Sequence, residues 1–130
     1  MTMTPNPLDT TPRIGMGCWA IGGPLWAGET PLGYSGTDDA ESIRTIEAAW
    51  AAGVRVFDTA AVYGAGHSEA LLGQVLGNRA GSVVVSKFGP VFDRDTRQVI
   101  RDDTRPAAIR ASAEASLARL ARDRIDVLLC

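Results

Sequence analysis

The chain has 130 residues, of which 45% are hydrophobic and 22% charged, and its formal net charge is -2. This is the make-up of one soluble globular domain or part of one, and without a run of basic residues it excludes an electrostatic footprint for nucleic acid or an anionic membrane. No stretch reaches transmembrane length, and Cys18 and Cys130 lie far apart without metal-type spacing, which points to free thiols, a reducing compartment and a cytoplasmic location.

Residues 1–12 (MTMTPNPLDTTP) are polar and broken by proline, with no apolar segment of a secretory signal, and are expected to form a flexible N-terminal tail. Residues 13–18 (RIGMGC) read as a short strand that delivers the chain to Trp19. The run Gly15-x-Gly17-x-x-Ala20 superficially matches a dinucleotide-binding fingerprint, but that motif needs a helix directly behind it, and Gly22, Gly23 and Pro24 follow instead. Residues 20–37, rich in Gly and Pro and carrying Trp26 and Tyr34, are expected to be a long loop without secondary structure. Such a loop is either a lid over a binding site or a self-packed surface loop anchored by its aromatics.

Residues 38–52 read as a helix: Asp38 can cap it, Glu41 stands three residues on as a capping-box partner, and Ile43, Ile46 and Trp50 share one face. Gly53 supplies the stop. Residues 54–58 (VRVFD) form the next strand, and 59–66 the loop beyond it. A second helix spans 68–76, with Ser68 as N-cap, Glu69 in the favourable first turn, and Leu71, Leu72 and Val75 facing inward. Residues 82–87 (SVVVSK) are nearly continuous in Val, as in a strand covered on both faces. Val91-Phe92 and Val99-Ile100 flank a charged turn and suggest a small hairpin. Pro106 opens a third helix running to about residue 121, with Ile109, Ala113, Leu117 and Leu120 on its apolar stripe, and 125–130 form a fourth strand. Strands alternating with helices in this way imply right-handed crossovers and a parallel α/β sheet.

In such sheets the chemistry collects at the C-terminal ends of the strands. Asp58 ends the second of these strands, Tyr63 lies in its loop, and Lys87, the single lysine among thirteen basic residues, ends the third. Each has an ordinary alternative: Asp58 as a turn cap, Tyr63 as a loop anchor, Lys87 as a snorkelling surface residue. Their joint placement favours a general-acid device. A free phenol, with a pKa of about 10, is a poor proton donor near neutrality; an adjacent ammonium stabilises the phenolate, a carboxylate orients that ammonium, and the phenol then donates to a carbonyl oxygen as charge develops there. The hydride has to come from a cofactor. His67, the only histidine, directly precedes a helix and is read as a loop residue, with no metal assigned to it.

Phe57-Asp58-Thr59-Ala60, Val62-Tyr63-Gly64-x-Gly66-His67-Ser68-Glu69-x-x-Leu72-Gly73 and Ser86-Lys87-Phe88-Gly89 together resemble the aldo-keto reductase superfamily. So do the opening Gly15-Met16-Gly17-Cys18-Trp19 and the closing Arg124-Ile125-Asp126-Val127-Leu128-Leu129, and the glycine-rich loop with Trp26 is similar to the bacterial branch related to potassium-channel β subunits. The resemblance implies a parallel (β/α)8 TIM-barrel type fold, with residues 13–130 as its N-terminal half: the first four strands and three helices. It implies an NADPH-dependent reductase of a small-molecule carbonyl (aldehyde or ketone), with Tyr63 as proton donor, Lys87 as the cation beside it and Asp58 as the partner of Lys87. Trp19 and Asp58 would meet the cofactor, and Trp19 and Trp26 the substrate pocket. The family's catalytic histidine past the fourth strand, strands five to eight and most of the cofactor clamp are expected from a missing C-terminal half-barrel, so that the 130 residues alone are expected to be inactive; self-association of the open half-barrel is the other expected partnership. Two other readings stand beside this one: a Schiff-base aldolase using Lys87, and a non-catalytic nucleotide-binding regulatory module of the channel-subunit kind.

Overall fold

Alternating apolar runs and caps produce the following elements in the computed structural model, which describes residues 6–130. The strands are β1 (Gly15–Gly17), β2 (Trp26–Ala27), β3 (Thr30–Pro31), β4 (Val56–Asp58), β5 (Val83–Lys87), β6 (Pro90–Asp93), β7 (Gln98–Asp102) and β8 (Val127–Leu129). The helices are α1 (Asp39–Ala51), α2 (His67–Val75) and α3 (Pro106–Leu120). Of the expected tail, residues 1–5 lie outside the described residues, and Pro7–Thr10 form a 3-10 turn capped by the Asn6 side chain.

The main sheet has the order β1-β4-β5-β8, with every pair parallel. With α1, α2 and α3 as crossovers, these are four strands and three helices of a (β/α)8 barrel, half of its ring. Successive side chains on a strand point to opposite faces. Phe57 and Val84, paired in register, therefore face the helices, where they join Ile46, Leu71, Leu72, Leu76 and Leu120 in one buried cluster. Asp58 is in register with Val85, and Lys87 lies two residues further along that same, opposite face. The side-chain period of two thus aims both polar groups away from the helix layer.

Helix α1 starts where the Asp38 carboxylate accepts from the Glu41 amide at 2.8 Å, and it buries Ile46 while Ile43 and Trp50 pack against the core. Glu41 turns to Arg44, so Asp38 alone caps the helix. The two neighbours of β5 are shorter than their apolar runs, for a local reason in each case. At β4, the Arg55 guanidinium stacks 3.9 Å from the Trp50 ring and donates to the Trp50 and Val54 carbonyls, which ties residues 54 and 55 to the end of α1. At β8, the Asp126 carboxylate takes the Val84 amide at 2.9 Å and replaces a backbone rung. That carboxylate also holds Arg122, whose guanidinium reaches the Gly77 carbonyl and Ser82.

Two expectations are corrected. Residues 20–37 are not structureless: a 3-10 turn (Ala20–Gly22) is followed by the β2–β3 hairpin, which joins the β6–β7 hairpin in a second sheet ordered β3-β2-β7-β6. The short extended pieces of the loop find partners about 70 residues away: Trp26 donates to the Arg97 carbonyl at 2.9 Å, and the Gln98 amide exchanges hydrogen bonds with the Gly28 backbone. Ser68 is not an N-cap: α2 begins at His67 behind Gly66 in a left-handed conformation (φ 92°), and the Ser68 hydroxyl is used inside the protein. On α3, Leu120 is buried, whereas Ile109, Ala113 and Leu117 are half-buried along an open groove beside Arg110 and Glu114.

Candidate active site

Two loops and a strand end meet at the C-terminal rim of the main sheet. The loop after β1 carries Trp19, the one after β4 carries Tyr63, and β5 ends at Lys87. The first two touch backbone to backbone: a Cβ added at Gly64 (φ 61°) would stand 1.8 Å from the Gly22 carbonyl oxygen, and one at Gly22 would stand 2.8 Å from the Tyr63 carbonyl carbon. Only glycine allows that approach, and it brings the Trp19 and Tyr63 rings into a stack with centroids 5.5 Å apart and planes at 12°.

The Lys87 ammonium donates to Asp58 Oδ1 at 2.6 Å and to the Thr59 carbonyl at 2.9 Å. It also lies 5.1 Å from the centroid of the Tyr63 ring, within cation–π range. Asp58, Lys87, Tyr63 and Trp19 therefore form one contiguous group. Trp19 stays 45% exposed, so one end of the group is open to a flat ligand. Trp26 stands apart in the second sheet, opposite Pro31 and Gln98; the aromatic that reaches Trp19 from the loop is Tyr34, edge-on at 5.9 Å.

Beneath this group lies a polar layer. Cys18 is fully buried; burial pushes its thiol up to about 12, the Asp58 carboxylate adding to the effect and the Lys87 ammonium opposing it. That thiol is a packing group, not a nucleophile. The Ser68 hydroxyl donates to the Cys18 carbonyl at 2.7 Å and lies 2.8 Å from the Thr59 hydroxyl. Glu69 stands in the first turn of α2, as the sequence indicates, and is fully buried there: it accepts from Ser86 at 2.6 Å and from Arg119 Nε at 2.7 Å. A surface acid and a buried one look alike in a helical pattern. The available hint was the pair Gly66 and Gly73 bracketing it, since a Cβ at Gly73 would lie 2.2 Å from the Arg119 carbonyl oxygen and one at Gly66 would lie 2.7 Å from Arg119 Cδ. Thr59, Ser68 and Ser86 carry no comparable signal, whereas Tyr34 is marked only as an aromatic of the 20–37 loop.

His67 is the first residue of α2, not a loop residue, and its Nε2 lies 2.8 Å from Asp39 Oδ1. Among the described residues no group of three or more His, Cys, Asp or Glu side chains is arranged to hold a metal ion, and no helix is long and apolar enough to cross a membrane.

Residues 13–130 match the Aldo/keto reductase family. An NADH-specific methylglyoxal reductase from Escherichia coli is 37% identical over 138 residues, covering 95% of this chain and 40% of its own length. The solved structure of a glycerol dehydrogenase from Gluconobacter oxydans superposes with a TM-score of 0.72 at 39% identity, covering 92% of this chain and 35% of that one. An aldo-keto reductase from Klebsiella pneumoniae, solved in complex with NADPH, superposes with a TM-score of 0.65 at 28% identity, covering 91% of this chain and 34% of that one. The chain spans about a third of the length of the curated relatives it matches.

Proposed function

We propose, because the chain belongs to the Aldo/keto reductase family of oxidoreductases, that it supplies the proton-donating side of a nicotinamide-dependent carbonyl reduction. The observation that carries this reading is the doubly anchored Lys87 ammonium lying against the Tyr63 ring. Tyr63 donates a proton to the oxygen of an aldehyde or ketone as negative charge develops on it. Lys87 stabilises the phenolate left behind, and Asp58 keeps the ammonium in place. A compact ammonium with three donors suits this task; guanidinium is larger and planar and would not put the same point charge beside a phenol.

The residues present fit the reactive end of a nicotinamide nucleotide. Trp19 offers an open aromatic face next to Tyr63, and the half-exposed Asp58 carboxylate stands at the rim. When bound, the nucleotide supplies the hydride that no side chain can. A relative solved with NADPH supports the phosphorylated form, while the NADH-specific reductase among the relatives speaks for the other; methylglyoxal, which that reductase is named for, is the first carbonyl to test. The aldolase reading is weakened by the ion pair with Asp58 at 2.6 Å, since the ammonium that makes it has no lone pair with which to attack a carbonyl. The relatives with a named activity, the methylglyoxal reductase and the glycerol dehydrogenase, are enzymes, which speaks against a purely regulatory module.

The test is aldehyde-dependent oxidation of NADPH and NADH by a protein that carries residues 13–130 within a chain of the relatives' length. Tyr63→Phe is expected to lower kcat by about 10²- to 10⁴-fold with nucleotide affinity retained. Loss of binding and turnover together would make Tyr63 a structural residue. The 130 residues assayed alone are expected to show no turnover, and steady reduction of methylglyoxal by them would overturn that expectation.

A further inference from the structure

We propose that Thr59 is a positioning residue for the Asp58–Lys87 pair: its carbonyl oxygen is the second acceptor of the Lys87 ammonium, and a buried hydroxyl relay through Ser68 fixes where that carbonyl points. The proposal rests on the reading of Lys87 as the cation beside Tyr63.

The direction of the relay follows from the hydrogens available. Ser68 has one hydroxyl hydrogen, and it goes to the Cys18 carbonyl at 2.7 Å. At the 2.8 Å contact between the two hydroxyls, Thr59 must then be the donor and Ser68 the acceptor. Both residues are fully buried, so neither hydroxyl has water as an alternative, and among the described residues no buried side-chain polar atom lacks a partner. The backbone closes the ring: the Cys18 amide donates to the Asp58 carbonyl at 2.8 Å, and the Thr59 amide donates to the Val85 carbonyl at 2.8 Å. Thr59 is thereby held through its amide, its hydroxyl and the residue before it, by groups from β5, from α2 and from the residue that follows β1.

The consequence falls on Lys87. An ammonium held by one acceptor swings about it; held by two, at 2.6 and 2.9 Å, it has a defined position and one remaining N–H to direct. Of the two acceptors, Asp58 is a half-exposed side chain with rotamers of its own, whereas the Thr59 carbonyl is backbone locked by the relay. The steadier anchor is thus the one that no polar motif marks. A purely structural role for Thr59 and Ser68 would be mutual satisfaction of two buried hydroxyls. Breaking it would lower stability and leave the ammonium unaffected.

Lys87 is the only lysine, so in uniformly ¹⁵N-labelled protein its side-chain ammonium gives a single ε-type ¹H–¹⁵N signal, separate from the chain's α-amino group. In the unmodified chain at low temperature and mildly acidic pH, those protons are expected to exchange with water more slowly than in free lysine. Thr59→Val keeps the shape and removes the hydroxyl; it should speed exchange about tenfold, the scale of one net hydrogen bond, while near-ultraviolet circular dichroism and the tryptophan indole signals persist. Thr59→Ser should restore the slow rate, and Ser68→Ala should reproduce the fast one from the other end of the relay, which also decides the matter if Thr59→Val does not fold. Exchange at the free-lysine rate in the unmodified chain overturns the proposal, and so does a folded Thr59→Val that keeps the original rate. The readout involves no turnover, so a failed carbonyl-reduction assay with a slowly exchanging ammonium would sink the functional reading and leave the positioning role in place.

Discussion

Two consecutive residues of β5 serve two ion pairs of similar chemistry and opposite character. Ser86 faces the helices and donates to Glu69, whose carboxylate also holds Arg119, with side chains 0% and 12% exposed. Lys87 faces the rim and holds Asp58, with side chains 29% and 44% exposed. The buried pair ties α2, α3 and β5 together, and each charge in it depends on the other because water cannot replace it. In the rim pair each partner retains access to solvent, and such pairs contribute about 0–1 kcal/mol to stability. The difference teaches where this chain can hold a group for chemistry: a charge the fold does not depend on is free to be arranged for a reaction, and one the fold depends on is not.

Substitutions at the two pairs should therefore separate activity from stability. In a protein of the relatives' length, Lys87→Met is expected to lower kcat by about 10²- to 10³-fold, the scale of removing one donor aimed at developing charge, while the midpoint of urea unfolding moves little. A large fall in stability with only a small fall in kcat would invert the comparison. Glu69→Ala leaves the Arg119 guanidinium buried without its partner and is expected to cost about 3–5 kcal/mol, read as a lower midpoint in urea at unchanged slope; a shift as small as that of Lys87→Met would mean water replaces the lost carboxylate. Between these lies Arg119→Lys, which keeps the charge but loses the planar fork that reaches both Glu69 and Ser116, and about 1.5–3 kcal/mol is expected from hydrogen bonds to a charged group.

The smallest effect concerns the thiol beneath the rim. Because the folded state raises the Cys18 thiol to about 12, its contribution to stability is complete below the ordinary thiol range, about 8.5, and is lost as the pH climbs from there towards 12. An aromatic disulfide reagent at pH 8 should count one reactive thiol in the folded chain, the exposed Cys130, and two after denaturation. Two thiols in the folded chain would mean that the layer under Asp58 and Lys87 opens to solvent.

Much of the body was legible because its signals are local. Asp38 before an apolar 3.6 period announces α1, and the unbroken Val83-Val84-Val85 run announces a strand covered on both faces, where all three residues are indeed buried. The rule that chemistry collects at the C-terminal ends of parallel strands puts Asp58 and Lys87 on one rim, and the motifs around them resemble the family that residues 13–130 match. The weak places were those where a residue's meaning depends on something distant. Glu69 reads only as a first-turn acid until Arg119, 50 residues on, is folded against it; Thr59 reads as a turn residue until its carbonyl meets the Lys87 ammonium.

By itself, then, the sequence determined the order and type of the main elements, the faces of the strands, and which acidic, phenolic and ammonium groups stand near the rim, since all of these follow from hydrogen-bond periodicity and caps within a few residues. Tertiary structure alone decided that the loop after β1 pairs with the β6–β7 hairpin, that Tyr34 and not Trp26 meets Trp19, and that a serine relay sits behind Lys87. Those outcomes depend on how closely two backbones approach, as at Gly22 against Gly64 and Gly73 against Arg119. Such an approach is a sum over packing of the whole domain, and no local pattern encodes it.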